Sequence, residues 1–199
     1  MAERAAGGAG APPADGTGRA DGVAGPARSP MAGRAADLAA VGAREVAFLA
    51  LVNLRVAASP AARLPLALPA TPNTWIASGG REALWLGPDE WLLVAAPGAA
   101  AALVAELEAV LDGVHHSVVD VSANQAVVEL AGDDRFDLLV QGCGIDLHPR
   151  SWRDGDCAQT LLARVPVLLQ ERAGATRIFL RPSFATYLAD WLRQAAGGA

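Results

Sequence analysis

Three side chains in the C-terminal half are of the types that bind zinc. Cys143, His148 and Cys157 could supply three ligands, and Asp146 or Asp156 could supply a fourth. Protein zinc sites usually pair their ligands two to four residues apart. Spacings of five and nine residues match none of these patterns. A buried thiol and a capping or loop histidine are therefore the favoured interpretation, with zinc as the alternative, and we assign no metal ligand.

The serines and thiols offer weak candidates for nucleophilic catalysis. None of the following serines stands in a Gly-x-Ser-x-Gly context: Ser78, Ser117, Ser122, Ser151 and Ser183. Cys143 with His148 is a conceivable nucleophile–base pair, but nothing near it marks a reactive thiolate. Gly142-Cys143-Gly144 is a fragment of a dinucleotide fingerprint, and it follows a predicted helix instead of a strand. We therefore predict no catalytic or cofactor-binding residue.

Polar residues beside the predicted strands have structural interpretations as well as functional ones. His115 and His116 begin a strand, so their side chains should point to opposite faces and cannot easily chelate together. Asp120 and Ser122 lie where two strands meet. They should bond turn amides, with anchoring of a ligand ring as the alternative. The pair Asp89-Glu90 is interpreted as part of a turn, not as a catalytic pair.

Five tryptophans are many for a chain with only 5% aromatic residues. Trp91 and Trp191 fall on apolar stripes and are predicted to lie in the core. Trp75, Trp85 and Trp152 have no such pattern and could serve an interface, where tryptophan is enriched.

Composition excludes several classes of function. All 16 basic residues are arginine, so a lysine Schiff base and the phosphate-binding Gly-x-x-x-x-Gly-Lys loop are impossible. A net charge of -5 argues against nucleic-acid binding. No stretch reaches the ~20 apolar residues of a membrane span, and no signal peptide is recognisable. Two cysteines suggest a reduced compartment, so we expect a cytoplasmic protein.

The chain divides into a tail and a domain. Residues 1–36 are rich in alanine, glycine and proline and carry few larger apolar side chains, so they are predicted to be disordered. Residues 37–199 form the predicted domain, which could consist of two small fused lobes.

The domain alternates strand and helix patterns. The apolar periodicity predicts strands at 52–56, 83–86, 90–94, 117–121, 126–130, 160–163, 165–171 and 176–180. Helices are predicted at 99–111, at 133–140 and after Ser183, which should cap the last one. The order of these elements favours an α+β fold built of ferredoxin-like split βαβ units.

Five segments carry a resemblance to a known family: residues 86–94, 119–132, 142–150, 157–169 and 183–192. In these segments the chain resembles the gamma subunits of heterotetrameric sarcosine oxidase. The most specific are Asp-Leu-His-Pro (146–149) and Cys-Ala-Gln-Thr (157–160), because residues 119–132 are similar to the wider aminomethyltransferase and folate-binding superfamily. The long N-terminal tail and Gly144 depart from the family pattern.

The resemblance implies the function of an accessory subunit. It implies a complex with alpha, beta and delta subunits that oxidises the N-methyl group of sarcosine. The products would be glycine and hydrogen peroxide and, with tetrahydrofolate, 5,10-methylenetetrahydrofolate. FAD, FMN, NAD, tetrahydrofolate and zinc would belong to the partner subunits and none to this chain. Whether the chain takes part in catalysis stays open. The alternative is a stand-alone folate-binding or aminomethyltransferase-like protein with Asp120 as the polar anchor.

Overall fold

The computed structural model describes residues 27–197. Within this range, two five-stranded antiparallel sheets and five α-helices make up an α+β fold, which confirms the predicted class. The helices are α1 (Ala35–Ala39), α2 (Ala58–Ala61), α3 (Ala100–Val110), α4 (Arg135–Leu139) and α5 (Ala185–Gly197). None of the helices between residues 27 and 197 has the length and apolar character that a bilayer crossing requires.

The first sheet contains a split βαβ unit. Its strands are β2 (Ala50–Val56), β3 (Trp75–Ser78), β4 (Arg81–Gly87), β5 (Glu90–Ala95) and β6 (His116–Asp120). They lie in the order β3-β4-β5-β2-β6. Strand β2 is antiparallel to both β5 and β6, so those two are parallel and α3 connects them across β2. This is the predicted arrangement, and the hairpin of β4 and β5 turns at Pro88-Asp89 as expected.

The second sheet is antiparallel throughout. Its strands are β1 (Ala43–Glu45), β7 (Ala126–Ala131), β8 (Cys157–Leu162), β9 (Val165–Arg172) and β10 (Ala175–Leu180). They lie in the order β1-β7-β10-β9-β8. The turn between β8 and β9 has two residues, Ala163 and Arg164, with φ of 51° and 70°. Two positive φ values in a two-residue loop are typical of a hairpin turn whose twist matches that of its strands.

The sheets pack face to face between two helical layers. Leu51, Leu84 and Leu92 from the first sheet meet Leu168 and Phe179 from the second in a core between the sheets. On the outer face of the first sheet, α3 buries Leu103 and Leu107. On the outer face of the second, the residues buried with helices α1, α4 and α5 include Leu38, Leu139, Leu188 and Leu192. Strands alternate their side chains between two faces, so each sheet contributes to two cores.

The tail boundary differs from the prediction. Residues 1–26 of the predicted tail lie outside the described range, but residues 27–36 include the start of α1 and a methionine, Met31, that is only 1% exposed. The Ser29 hydroxyl donates to Glu45 of β1 at 2.5 Å, and the Met31 amide donates to the same carboxylate at 3.2 Å. Composition alone missed this because a single large side chain and one acceptor from a distant strand order the segment.

Candidate functional site

The residues considered as zinc ligands take separate structural roles. Cys157 is completely buried, and burial raises the pKa of its thiol to about 12. Its Sγ lies 3.2 Å from the carbonyl oxygen of Thr74 and donates to it. A thiol with this pKa stays protonated at neutral pH, whereas a metal-bound or nucleophilic cysteine must be a thiolate.

The loop before β8 holds His148 by hydrogen bonds. Nδ1 of His148 accepts from the Arg150 amide at 3.1 Å, and the His148 amide donates to Asp146 at 3.0 Å. Bonds from Ser151 and from the His148 amide hold the pKa of Asp146 below its usual value. No cluster of three or more His, Cys, Asp or Glu side chains suited to a metal occurs among residues 27–197. His148 thus has its hydrogen-bond partners within its own loop.

Asp120 and Ser122 form the turn predicted for them. Asp120 accepts from the amide of Ser122 at 2.9 Å and from its hydroxyl at 2.6 Å, and these bonds hold the pKa of the carboxyl below its usual value. The Ser122 hydroxyl oxygen in turn accepts from the Leu51 amide at 2.9 Å. This turn connects β6 to β7 and fixes the start of β2 beside it.

The other polar pairs also have structural partners. His116 approaches the carbonyl of Val114 at 2.7 Å and Glu108 at 2.9 Å, and these bonds raise its pKa. Asp89 accepts from Arg55 at 3.1 Å, and both side chains are about half exposed. These contacts belong to His116 at the start of β6 and to Asp89 in the turn between β4 and β5.

The tryptophans differ in part from the prediction. Trp91 is buried, as expected, and its indole N–H donates to the carbonyl of Pro69 at 2.9 Å. The hypothesis of an interface role for Trp152 is wrong, because this residue is only 5% exposed and lies in the core between the second sheet and its helices. Trp75 and Trp85 are partly buried and pack against the cores.

A buried charged cluster escaped the sequence analysis. Glu171 of β9 is 2% exposed and accepts from Arg135 at 2.6 Å, from Trp152 at 3.0 Å and from Thr176 at 2.5 Å. Arg135 is itself 8% exposed and lies 4.1 Å from the ring of Phe136. The bonds from Trp152 and Thr176 to the second oxygen of Glu171 offset part of the cost of burying this ion pair, while Nε of Arg135 is buried without a hydrogen-bond partner in the described part of the chain. The one available signal was a glutamate within an apolar strand.

A second charged cluster joins the two sheets. Glu82 of β4 accepts hydrogen bonds from Gln170 at 2.8 Å, from Arg177 at 3.2 Å and from Arg172. These three donors belong to the second sheet, and Arg177 also donates to Glu129 at 3.0 Å. The cluster fixes the relative position of the sheets at one edge.

At another edge the sheets separate and leave a cleft of about 500 Å³. The first sheet lines it with Asn53, Leu92 and Val119, and the second with Gln159 and Phe179. The lining mixes apolar side chains with polar ones, and the Asn53 amide donates to Glu90, another lining residue, at 2.8 Å. The residues that line this cleft do not include Asp120, the anchor considered for a ligand.

Comparison with known proteins identifies relatives along most of the chain. A family described as "Sarcosine oxidase, gamma subunit family" matches residues 47–198. The sarcosine oxidase subunit gamma of an Arthrobacter species is 38% identical over 162 residues, covering 77% of this chain and 78% of that protein. The subunit gamma of Corynebacterium sp. strain U-96 is 37% identical over 161 residues, with the same coverage.

Solved structures extend the similarity to the fold. A chain of the heterotetrameric sarcosine oxidase from Corynebacterium sp. U-96, solved with pyrrole 2-carboxylate, aligns with a TM-score of 0.80 and 34% identity. The alignment covers 86% of this chain and 95% of that one. The glycine cleavage system aminomethyltransferase T of Bartonella henselae aligns with a TM-score of 0.59 over 80% of this chain and 48% of its own. At 15% identity this second match shows a common fold and nothing about activity.

Proposed function

The chain belongs to the sarcosine oxidase gamma subunit family, and on that basis we propose that it is an accessory subunit of a heterotetrameric sarcosine oxidase. The observation that carries the proposal is the match to a chain of such a heterotetramer, at a TM-score of 0.80 over 95% of that chain. A match over nearly the whole of one subunit supports the same position in an assembly.

The role we propose is structural, without a chemical step in this chain. The residues that could have acted in catalysis are engaged elsewhere: the Cys157 thiol has a pKa of about 12, and Asp120 is bonded to Ser122. Glu171 accepts three hydrogen bonds in the core. Catalytic groups need access to a substrate and a pKa near the working pH. These environments favour a structural role for this chain in the complex.

For the assembly as a whole we propose cytoplasmic oxidation of the N-methyl group of sarcosine. The products are glycine, hydrogen peroxide and, when tetrahydrofolate takes the one-carbon unit, 5,10-methylenetetrahydrofolate. Alpha, beta and delta subunits would hold the FAD, FMN, NAD, folate and zinc. This chain would hold none of them, and its contribution would be to the stability of the complex.

Co-expression tests the proposal. The partner oxidase subunits of the same organism are produced with and without this chain, and both preparations are compared for assembly by size and for sarcosine-dependent peroxide formation. We expect the full set to assemble, and we expect the set without this chain to lose subunits or turnover. An intact complex with full turnover in its absence would refute an accessory role.

The second candidate function is a stand-alone folate-binding protein. The cleft between the sheets favours it, because about 500 Å³ lined by apolar side chains together with side-chain amides suits a small heterocyclic ligand. The position of Asp120 weighs against it, since this carboxylate does not line the cleft and its Oδ1 accepts two hydrogen bonds from Ser122. Titration of the purified chain with tetrahydrofolate decides between them: micromolar binding by the wild-type chain would favour the second candidate, and no binding would favour the first. Loss of that binding in Asp120→Ala would identify Asp120 as the anchor, whereas binding kept in Asp120→Ala would point to the cleft, which Asp120 does not line.

A further inference from the structure

Strand β6 is an edge of the first sheet whose outer side is open. It pairs with β2 on one side, and no other strand among residues 27–197 pairs with its other side. The strand has five residues and contains neither proline nor arginine, and its one acid is Asp120 at the end. Proteins usually protect exposed edges with proline, charged side chains, bulges or a covering segment.

The register shows which backbone groups face outward. The Val121 amide donates to the Leu51 carbonyl at 2.8 Å, so the backbone of Val121 faces β2, while the Leu51 amide donates to the Ser122 hydroxyl. In an antiparallel ladder the residues that bond to the neighbouring strand alternate. Val119, opposite Asn53, is therefore bonded inward to β2. The N–H and C=O groups of His116, Val118 and Asp120 point away from β2, toward the open side.

The other three edges are each shortened or covered. Strand β1 has only three residues. In β3 the Trp75 amide donates to the Gly155 carbonyl at 2.8 Å. Other segments pair with the chain near both ends of β8: Thr74 forms an isolated bridge with Asp156, and Cys143 forms one with Leu162. Strand β6 is thus the edge most available for a further strand.

The open edge adjoins an apolar surface. Val119 is 48% exposed, which is unusual for a valine in a strand, and it lines the cleft between the sheets beside Val121. Because Val119 and its partner Asn53 share a face, the cleft lies on the side of the first sheet that faces the second. A strand added to β6 would direct alternate side chains into this cleft.

We propose that an extended segment of another subunit of the oxidase pairs with β6 and places an apolar side chain in the cleft next to Val119. The proposal rests on the accessory role proposed above. The open row of amides and carbonyls selects a backbone in β conformation, because only such a backbone supplies donors and acceptors at the matching repeat. Five paired residues span about 17 Å.

The test uses the co-expressed complex, purified through a tag on a partner subunit. Val119→Lys puts a charge at the cleft beside the edge. Val140→Lys is the matched control, since Val140 is 54% exposed at the C-terminal end of α4, where a positive charge is tolerated. We expect retention of the Val119→Lys chain to fall by about tenfold, while the Val140→Lys chain is retained like the wild type.

The outcomes separate this inference from the accessory role. If the wild-type chain itself does not co-purify, the accessory role fails. If the wild-type and Val119→Lys chains are both retained in full, only the docking at β6 is overturned. Dimers of the isolated chain that Val119→Lys disrupts would also overturn it, because the edge would then join two copies.

If Val119→Lys is insoluble, amide hydrogen exchange of the wild-type chain tests the proposal instead. In the wild-type complex we expect the outward amides of Val118 and Asp120 to exchange at least about tenfold more slowly than in the isolated chain. The inward amide of Val119 is the internal control, because β2 protects it in both the complex and the isolated chain. Equal exchange of the outward amides in the two states would overturn the proposal.

Discussion

Removing the charge of Glu171 should destabilise the chain far more than removing an exposed charge. Glu171 is 2% exposed, and one of its oxygens accepts from Arg135 at 2.6 Å while the other accepts from Trp152 and Thr176. In Glu171→Gln the side-chain NH2 must face one of these donors. The Arg135 charge, 8% exposed, also loses its counterion. Breaking such a buried pair costs about 3–5 kcal/mol.

The assay is urea unfolding of the purified chain, followed by tryptophan fluorescence. The control is Asp89→Asn, which removes one partner of a pair with Arg55 in which the side chains are 51% and 54% exposed. A pair of this kind contributes about 0–1 kcal/mol. Adding Arg135→Met to Glu171→Gln removes the orphaned charge, so the double variant should lose less stability than the sum of the single variants. A loss for Glu171→Gln no larger than that for Asp89→Asn would refute the reasoning.

Three further predictions concern local packing and titration. Gly142→Ala should lower the free energy of unfolding by about 1–3 kcal/mol, because its Cβ would lie 2.6 Å from the tryptophan ring of α5. The control is Gly144→Ala, whose Cβ would meet open space, and it should unfold at the same urea concentration as the wild type. At pH 8 a thiol reagent should label the half-buried Cys143 much faster than Cys157, whose pKa is about 12, and peptide mass spectrometry checks the order. A backbone carbonyl and a glutamate raise the pKa of His116, so the stability it contributes is full below its unfolded pKa of about 6.5 and is lost as pH rises through the folded value. The difference in unfolding free energy between wild type and His116→Gln should therefore shrink from about pH 5 to pH 8, and a constant difference would contradict this.

The sequence predicted the elements that have a strong periodic pattern of their own. The helix expected at 99–111 is observed at Ala100–Val110, and the strand expected at 165–171 is observed at Val165–Arg172. In both, the apolar side chains that set the pattern are the ones that reach a core. The strand expected at 160–163 starts earlier, at Cys157, because pairing with β9 determines where it begins.

Short elements could not be predicted, because contacts from elsewhere in the chain stabilise them. Strand β1 has three residues and exists by pairing with β7, more than 80 residues later. Strand β3 has four residues and pairs with β4. The predicted cap, Ser183, lies inside a 3₁₀ turn at Pro182–Phe184 that precedes α5.

The functional residues divide in the same way. The turn of Asp120 and Ser122 was predictable, since its donors and acceptor lie two residues apart. The pair of Arg135 and Glu171 is 36 residues apart in sequence, and the open edge at β6 depends on strand order. Apart from a glutamate within an apolar strand, neither leaves a local pattern, because the pair forms between α4 and β9 and the open edge depends on strand order.

The accessory role is best tested by native mass spectrometry of the complex purified through a tag on this chain. An accessory subunit should appear in a single assembly that holds this chain together with three other, different subunits. A mass equal to that of this chain alone, with the partner subunits present in the same cells, would contradict it.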